Sequence, residues 1–330
     1  MPLYEPGLAL EEALAGLLRQ TYGPYRLVLV DDASTDVATR AALERVAHDP
    51  RVTVRRNPSR LGLAANWAAT FRAARELHPG AELFAWAGHH DWWEEDWLAA
   101  MVARLDVNPR AVLAYPLDAR MDPDGTPNDE AAPPFCTAGE ADPRRRLAAC
   151  ARRACAGSAI YGLTRVATLE RAGVFDRVLR PDRLTLAKLA VLGEFEQEPR
   201  ALWRRRTTGT PTARRQRAAS FPDRVPLAAR LPWPLVHARA LALWLARSRP
   251  RPLRPRQILP ATGSYVWPML ARDVVRWALD CLFRLEGRLP RRVTAPVRRL
   301  LGMAPRRAAP NAADPWLSRR RARRRPRADA

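Results

Sequence analysis

The chain has 330 residues, 47% of them apolar, which excludes wholesale disorder and is enough for one large domain or two moderate ones. Its net charge of +22 is uneven, about −8 over residues 1–140 and +30 over 141–330, so the second half calls for an anionic partner such as phosphate, lipid head groups or nucleic acid. Four cysteines without a CxxC pair exclude a zinc finger and fit a reducing compartment. The sequence shows no charged-then-apolar leader and no apolar run of about 18 residues, so neither secretion nor a spanning helix is expected.

Leu10, Leu14, Leu17 and Leu18 recur at helical spacing and make one apolar helix face. RLVLV (26–30) is a short β-branched and aliphatic run suited to a buried strand. Asp36 is placed to cap a helix running to about Ala47, RVTVR (51–55) reads as strand, and a helix follows from about Leu63 to Arg75. LFAWA (83–87) reads as strand, Glu94–Leu105 as helix and AVLAY (111–115) as strand. This alternation predicts an α/β fold with a mainly parallel sheet covered on both faces and ligands beyond the carboxyl ends of its strands, where DDASTD and AGHHDWW both fall.

Residues 118–143 are acidic and rich in Pro and Gly, a long loop of the kind that often serves function. Beyond it come the ordered stretch SAIYGL (158–163), a helix near 164–172 and another from about Asp182 to Leu192. After Trp203 the chain turns Arg- and Pro-rich, with helices expected at 235–247 and 269–286 and a disordered tail from about 304.

The stretches MPLYEPG (1–7), LLRQTY (17–22), LVLVDDASTD (27–36), RNPSRLGLAANWA (56–68), HHD (89–91) and GVFDRVLRPDR (173–183), in this order and spacing, resemble the family-2 glycosyltransferases of the GT-A fold. The likeness covers residues 1 to about 206. It implies a Rossmann-like GT-A domain, mainly parallel in a mixed sheet with helices on both faces, followed by a helical C-terminal extension. The boundaries read as a nucleotide-sugar half at 1–116, an acceptor-binding half at 117–206, a basic helical extension at 207–303 and an Arg-rich tail at 304–330.

The resemblance also implies roles. Asp31, Asp32 and Ser34 would contact the base and ribose of a sugar nucleotide, with Pro2 and Tyr4 on the neighbouring strand end. The same residues read alone simply end a strand and cap the helix after it. Members of the family usually carry an acidic DxD motif that binds Mn²⁺ or Mg²⁺ against the donor diphosphate. Here Gly88, His89 and His90 occupy those places, leaving His90 and Asp91 as the expected ligands of a divalent cation. Asp182, at the place of the family's catalytic carboxylate, is the expected general base, although alone it reads as an N-terminal helix residue. Trp92, Trp93 and Arg205 are expected to touch the sugar, the acceptor or the diphosphate, and Trp97 to pack in the core. Glu94, Glu95 and Asp96 read as first-turn acids. The family's first strand has several apolar residues before the PxY motif, whereas this sequence begins beside Pro2, so the resemblance implies either a start placed too far downstream, the favoured reading, or a truncated product.

Together these readings predict an inverting glycosyltransferase. It would use a nucleotide-diphosphate sugar and a saccharide or lipid-linked acceptor, in cell-surface glycan or glycolipid synthesis. It is expected in the cytoplasm, with its basic half (net +26 over 199–330) and WPLVHARALALWLAR (233–247) resting on the anionic inner membrane face. The rivals are a non-catalytic nucleotide-sugar or glycan-binding relative and, last, a nucleic-acid-binding protein, for which no reading motif is present.

Overall fold

The computed structural model describes residues 1–7, 9–128, 134–153, 158–206, 213–223 and 225–286. Met1–Ala271 forms one compact unit and Arg272–Ala330 a second, described here only through the far part of its leading helix. The predicted tail at 304–330 lies outside the described residues.

The chain opens with β1 (Pro2–Leu3) and α1 (Ala9–Leu18), whose Leu10, Leu14 and Leu17 are buried while Leu18 is half-buried at the edge of the stripe. Then come β2 (Leu27–Asp31), buried along its whole length, and α2 (Val37–Val46), capped by Asp36, which accepts the Thr39 N–H at 2.7 Å. After β3 (Val52–Arg56) follow α3 (Leu63–Leu77), β4 (Leu83–Phe84), β5 (Trp92–Trp93), α4 (Trp97–Val107), β6 (Ala111–Met121) and β7 (Pro127–Asn128). The second part holds α5 (Pro143–Arg153), a 3₁₀ turn at Ser158–Tyr161, β8 (Leu163–Arg165), α6 (Val166–Ala172), α7 (Pro181–Leu192) and the long β9 (Glu194–Arg206). α8 (Ala213–Ser220), a 3₁₀ turn at Leu227–Arg230, α9 (Trp233–Arg247) and α10 (Pro255–Glu286) complete it.

The strands hydrogen-bond into two sheets rather than one. The first is parallel, β1-β2-β3, with Pro2 opposite Val30 and Leu27 opposite Val52. The second is mixed, β4-β8-β6-β9-β5 with β7 beside β6; its parallel part is the β6–β9 pair. Of the predicted strand 83–87 only Leu83 and Phe84 enter a ladder. A cavity of about 600 Å³ is lined there by Leu27 and Val28 of the first sheet and Leu83 and Phe84 of the second, among others.

Three elements differ from the sequence reading. β9 went unread because EFEQEPRALWRRR carries charge and a proline where a buried strand usually shows aliphatics, and a break in its register against β6 between Pro116 and Asp118 absorbs Pro199. The acidic stretch after 117 is partly strand: β6 runs to Met121 and turns into β7. The extension from residue 207 shares a core with the preceding part, since Leu241, Leu245 and Tyr265 pack with Leu147, Leu184 and Ala187. α10 also starts well before residue 269, carrying Pro260 and Pro268 within it.

Candidate functional site

The carboxyl end of β2 is held by its own side chains. Asp31 accepts the Ser34 N–H at 3.1 Å and the Arg56 guanidinium, and that arginine also donates to the Ser34 carbonyl at 2.7 Å. Ala33 takes a positive φ of 61° to make the turn. The Ser34 hydroxyl accepts the Glu5 N–H at 3.0 Å and ties the segment after β1 to this turn. Asp32 accepts three donors, the Asn57 amide at 2.8 Å, the Leu61 N–H at 2.8 Å and the Gly62 N–H at 2.9 Å, thereby fixing the loop that enters α3. Gly62 sits at φ 85°, where a side chain would also meet Pro222. Both carboxylates therefore shape the strand end first. Above them Tyr4 presents its ring to the Arg60 guanidinium, 3.9 Å from the ring centroid.

The histidine segment follows β4. His89 Nδ1 lies 3.4 Å from the Pro2 carbonyl and its ring meets that of His90 edge to face, so this loop abuts β1. Burial lowers both imidazole pKa values to about 4, helped for His89 by His90 and for His90 by Arg205 and Arg206. The Asp91 side chain is 1% exposed, and burial pushes its pKa up to about 7 against the pull of the Arg206 N–H and of Arg205. Oδ1 accepts the Arg206 N–H at 3.2 Å; Oδ2 is buried without a hydrogen bond against Gly88, where a Cβ would clash with it.

β9 supplies the opposing wall. Arg206 spans three segments, donating to the His90 carbonyl at 3.0 Å, the Pro123 carbonyl at 3.0 Å and the Glu12 carboxylate on α1. Arg204 pairs with Glu94. Arg205 is exposed, and its side chain makes no hydrogen bond or ion pair with the described residues.

Asp182 lies in the first turn of α7, after Arg180, which takes φ 54°. Surrounding protein raises its pKa by desolvation, with Arg183 and Arg180 opposing. Tyr161 lies within electrostatic reach of both this carboxylate and Asp91. Its ring stacks on Trp203 at 5.0 Å and meets Trp67 edge to face, and Asp91, Arg205 and Asp182 all act on its hydroxyl, whose pKa burial raises. Tyr161 was not singled out in the sequence. SAIYGL carries it as one aromatic in an apolar run, and only the β8–β6 pairing brings it here.

α9 braces the start of α7 from behind. Trp233 stacks beneath the guanidinium groups of Arg180 and Arg183, and His237, fully buried, bonds to the Leu179 carbonyl through Nε2 at 2.8 Å and to the Tyr265 hydroxyl through Nδ1 at 3.0 Å.

The aromatic pair divides. Trp93 is in the core, opposite Trp203 and pressed on Gly16, and so is not available to stack on a sugar: successive strand residues face opposite ways, and Trp93 faces in. Trp92 is half-buried, with the Arg19 guanidinium 5.3 Å from its ring. Trp97 is in the core as expected. α4 begins only at this residue; the acids before it pair on the surface, Glu94 with Arg204 and Asp96 with Arg200. On the acidic loop, Asp124 accepts the N–H of Thr126, closing the turn into β7, and the Asp118 side chain lies outside the described residues.

As a cation site the His90–Asp91 pair falls short. Among the described residues no three His, Cys, Asp or Glu side chains gather to hold a metal ion. Mg²⁺ or Mn²⁺ against a diphosphate needs a carboxylate oxygen at the cleft surface. One oxygen of Asp91 is engaged by a backbone N–H and the other is sealed behind Gly88.

Residues 1–151 match the model of glycosyl transferase family 2. No curated protein matches the chain. Among solved structures it is similar to residues 1–349 of S. aureus TarS, at 15% identity and a TM-score of 0.56 over 82% of this chain and 70% of that one. The same TarS segment in complex with UDP gives 15% identity and a TM-score of 0.53, over 80% and 69%. Against the longer TarS chain the TM-score is 0.54 at 15% identity, and this chain spans 42% of that length. The fold is GT-A.

Proposed function

We propose that the chain moves a sugar from a nucleotide-diphosphate donor to an acceptor hydroxyl with inversion, in the synthesis of a cell-surface glycan or glycolipid. The observation that carries this reading is the grouping of Asp182, Tyr161, Asp91 and Arg205 in one electrostatic neighbourhood, on a chain whose first 151 residues match a glycosyltransferase family. In the reaction, Asp182 takes the acceptor proton, the hydroxyl oxygen bonds to the anomeric carbon from the face opposite the diphosphate, and the nucleoside diphosphate departs with the electron pair. A carboxylate whose pKa is raised by burial is a better base than an ordinary one. Asp31, Asp32 and Ser34 shape the donor end, with Pro2 and Tyr4 beside it.

Incubating the full-length protein with UDP- and GDP-sugars and a panel of saccharide acceptors should release nucleoside diphosphate. Asp182→Asn should lower turnover by two orders of magnitude or more. Undiminished turnover in that variant removes Asp182 as the base.

A non-catalytic nucleotide-sugar or glycan binder is the second reading, favoured by the enclosed carboxylate of Asp91. Calorimetric binding of UDP or GDP without any turnover would select it. For the acceptor we propose a lipid-linked saccharide met at the anionic inner membrane face. No helix of the described residues is long and apolar enough to cross a membrane. α10 instead exposes Leu259 (78%) and Trp267 (72%), in a region of net charge +26. Flotation with anionic liposomes should show salt-sensitive binding, and none in neutral ones.

A further inference from the structure

We infer that Arg205 holds the donor diphosphate in place of a divalent cation, so that nucleotide binding at this site is independent of metal. The inference rests on the glycosyltransferase reading and concerns how the charge of the leaving group is met.

Alternation along β9 puts Trp203 and Arg205 on one face and Arg204 and Arg206 on the other. The second face is committed: Arg204 pairs with Glu94, and Arg206 is spent on Glu12 and the carbonyls of His90 and Pro123. On the first face Trp203 stacks on Tyr161, so Arg205, two residues on, stands on the side of Tyr161, within electrostatic reach of His90 and Asp91. Its guanidinium is exposed and keeps all five donors free of the described residues.

The charge balance points the same way. A cation-binding DxD site concentrates negative charge. Here the Asp91 carboxylate is 1% exposed and Arg206 is already matched by Glu12, so Arg205 brings an exposed positive charge that attracts a diphosphate and repels a dication. An arginine fork also matches a pair of phosphate oxygens in geometry, which a single imidazole cannot do.

The test is calorimetric titration of the full-length protein with UDP, GDP and the matching nucleosides, in EDTA and in Mn²⁺. The affinity for the preferred diphosphate should agree within twofold between the two buffers and exceed that for its nucleoside. Arg205→Gln should weaken diphosphate binding tenfold or more, leave nucleoside binding and the melting temperature unchanged, and so erase the preference; Arg205→Lys should restore part of it. Diphosphate binding that appears only with Mn²⁺, or a preference that survives Arg205→Gln, overturns the inference while leaving the glycosyltransferase reading standing. Failure of every nucleotide to bind in either buffer overturns both.

Discussion

The Arg206 N–H donates to Asp91 Oδ1 at 3.2 Å across 115 positions of sequence, and the side chain of the same arginine donates to the His90 carbonyl at 3.0 Å. One residue at the end of β9 thus fixes both the backbone and the carboxylate of the histidine loop. Arg206→Ala keeps the N–H but removes the bonds to His90, Pro123 and Glu12, leaving two partly buried carbonyls short of a protein donor. The expected loss is roughly 1–2 kcal/mol, since water reaches such groups, read as a lower denaturation midpoint, with diphosphate affinity falling as the loop loosens. Arg206→Lys should recover little, because one ammonium cannot span three segments.

Asp32→Ala removes the acceptor of three donors at once and frees the 57–62 loop. Nucleotide affinity should drop at least tenfold and proteolysis within 57–62 should quicken. Asp32→Asn, which keeps one carbonyl oxygen, should fall between. If Asp32 instead acted only by touching the nucleotide, the proteolysis rate would not change.

How far the sequence disclosed this site follows from which interactions are local. The turn after Asp31 and the Asp36 cap are legible because each depends on residues a few positions away, whereas the partners of Asp32 lie in the distant 57–62 loop. The start of α7 was legible through its Pro-Asp pair. β9 was not, since its charged residues are satisfied by distant partners: Glu198 by Arg104, Glu194 by Asn108 and Arg110, Arg204 by Glu94. Trp93 was misjudged for a related reason. WW beside HHD looks like one aromatic surface, yet strand pairing with Trp203 turns the second ring inward. The packing of α9 behind the start of α7 rests on Trp233 and His237, which no periodicity reveals.

His237 gives an acid limb to stability. Burial lowers its pKa to about 4 from an ordinary 6.5, so the unfolded chain takes up a proton first as pH falls. The stabilisation is fully present above about pH 6.5 and is lost progressively toward pH 4. His237→Gln, unable to titrate, should melt lower at pH 8, for want of the ring that joins Tyr265 to Leu179, and show a shallower decline between pH 6.5 and 4. His89 and His90 shift the same way, so the slope should shrink rather than vanish. Melting curves at half-unit pH steps decide it; equal slopes would remove His237 as a contributor.

Asp91 acts with the opposite sign. Its pKa rises from 3.8 to about 7 on folding, so the folded protein binds the extra proton between those values. Its favourable contribution is complete below about pH 4 and fades as pH climbs through 7, at most roughly 1.4 kcal/mol per pH unit. Asp91→Asn keeps the oxygen that accepts the Arg206 N–H and removes the buried charge. The variant should therefore be more stable than the parent at pH 8 and differ least at pH 4. With the diphosphate held by Arg205, as proposed above, the variant should also retain nucleoside diphosphate affinity within a few-fold. A tenfold loss in EDTA with unchanged melting would instead make the Asp91 carboxylate a direct ligand of the donor site.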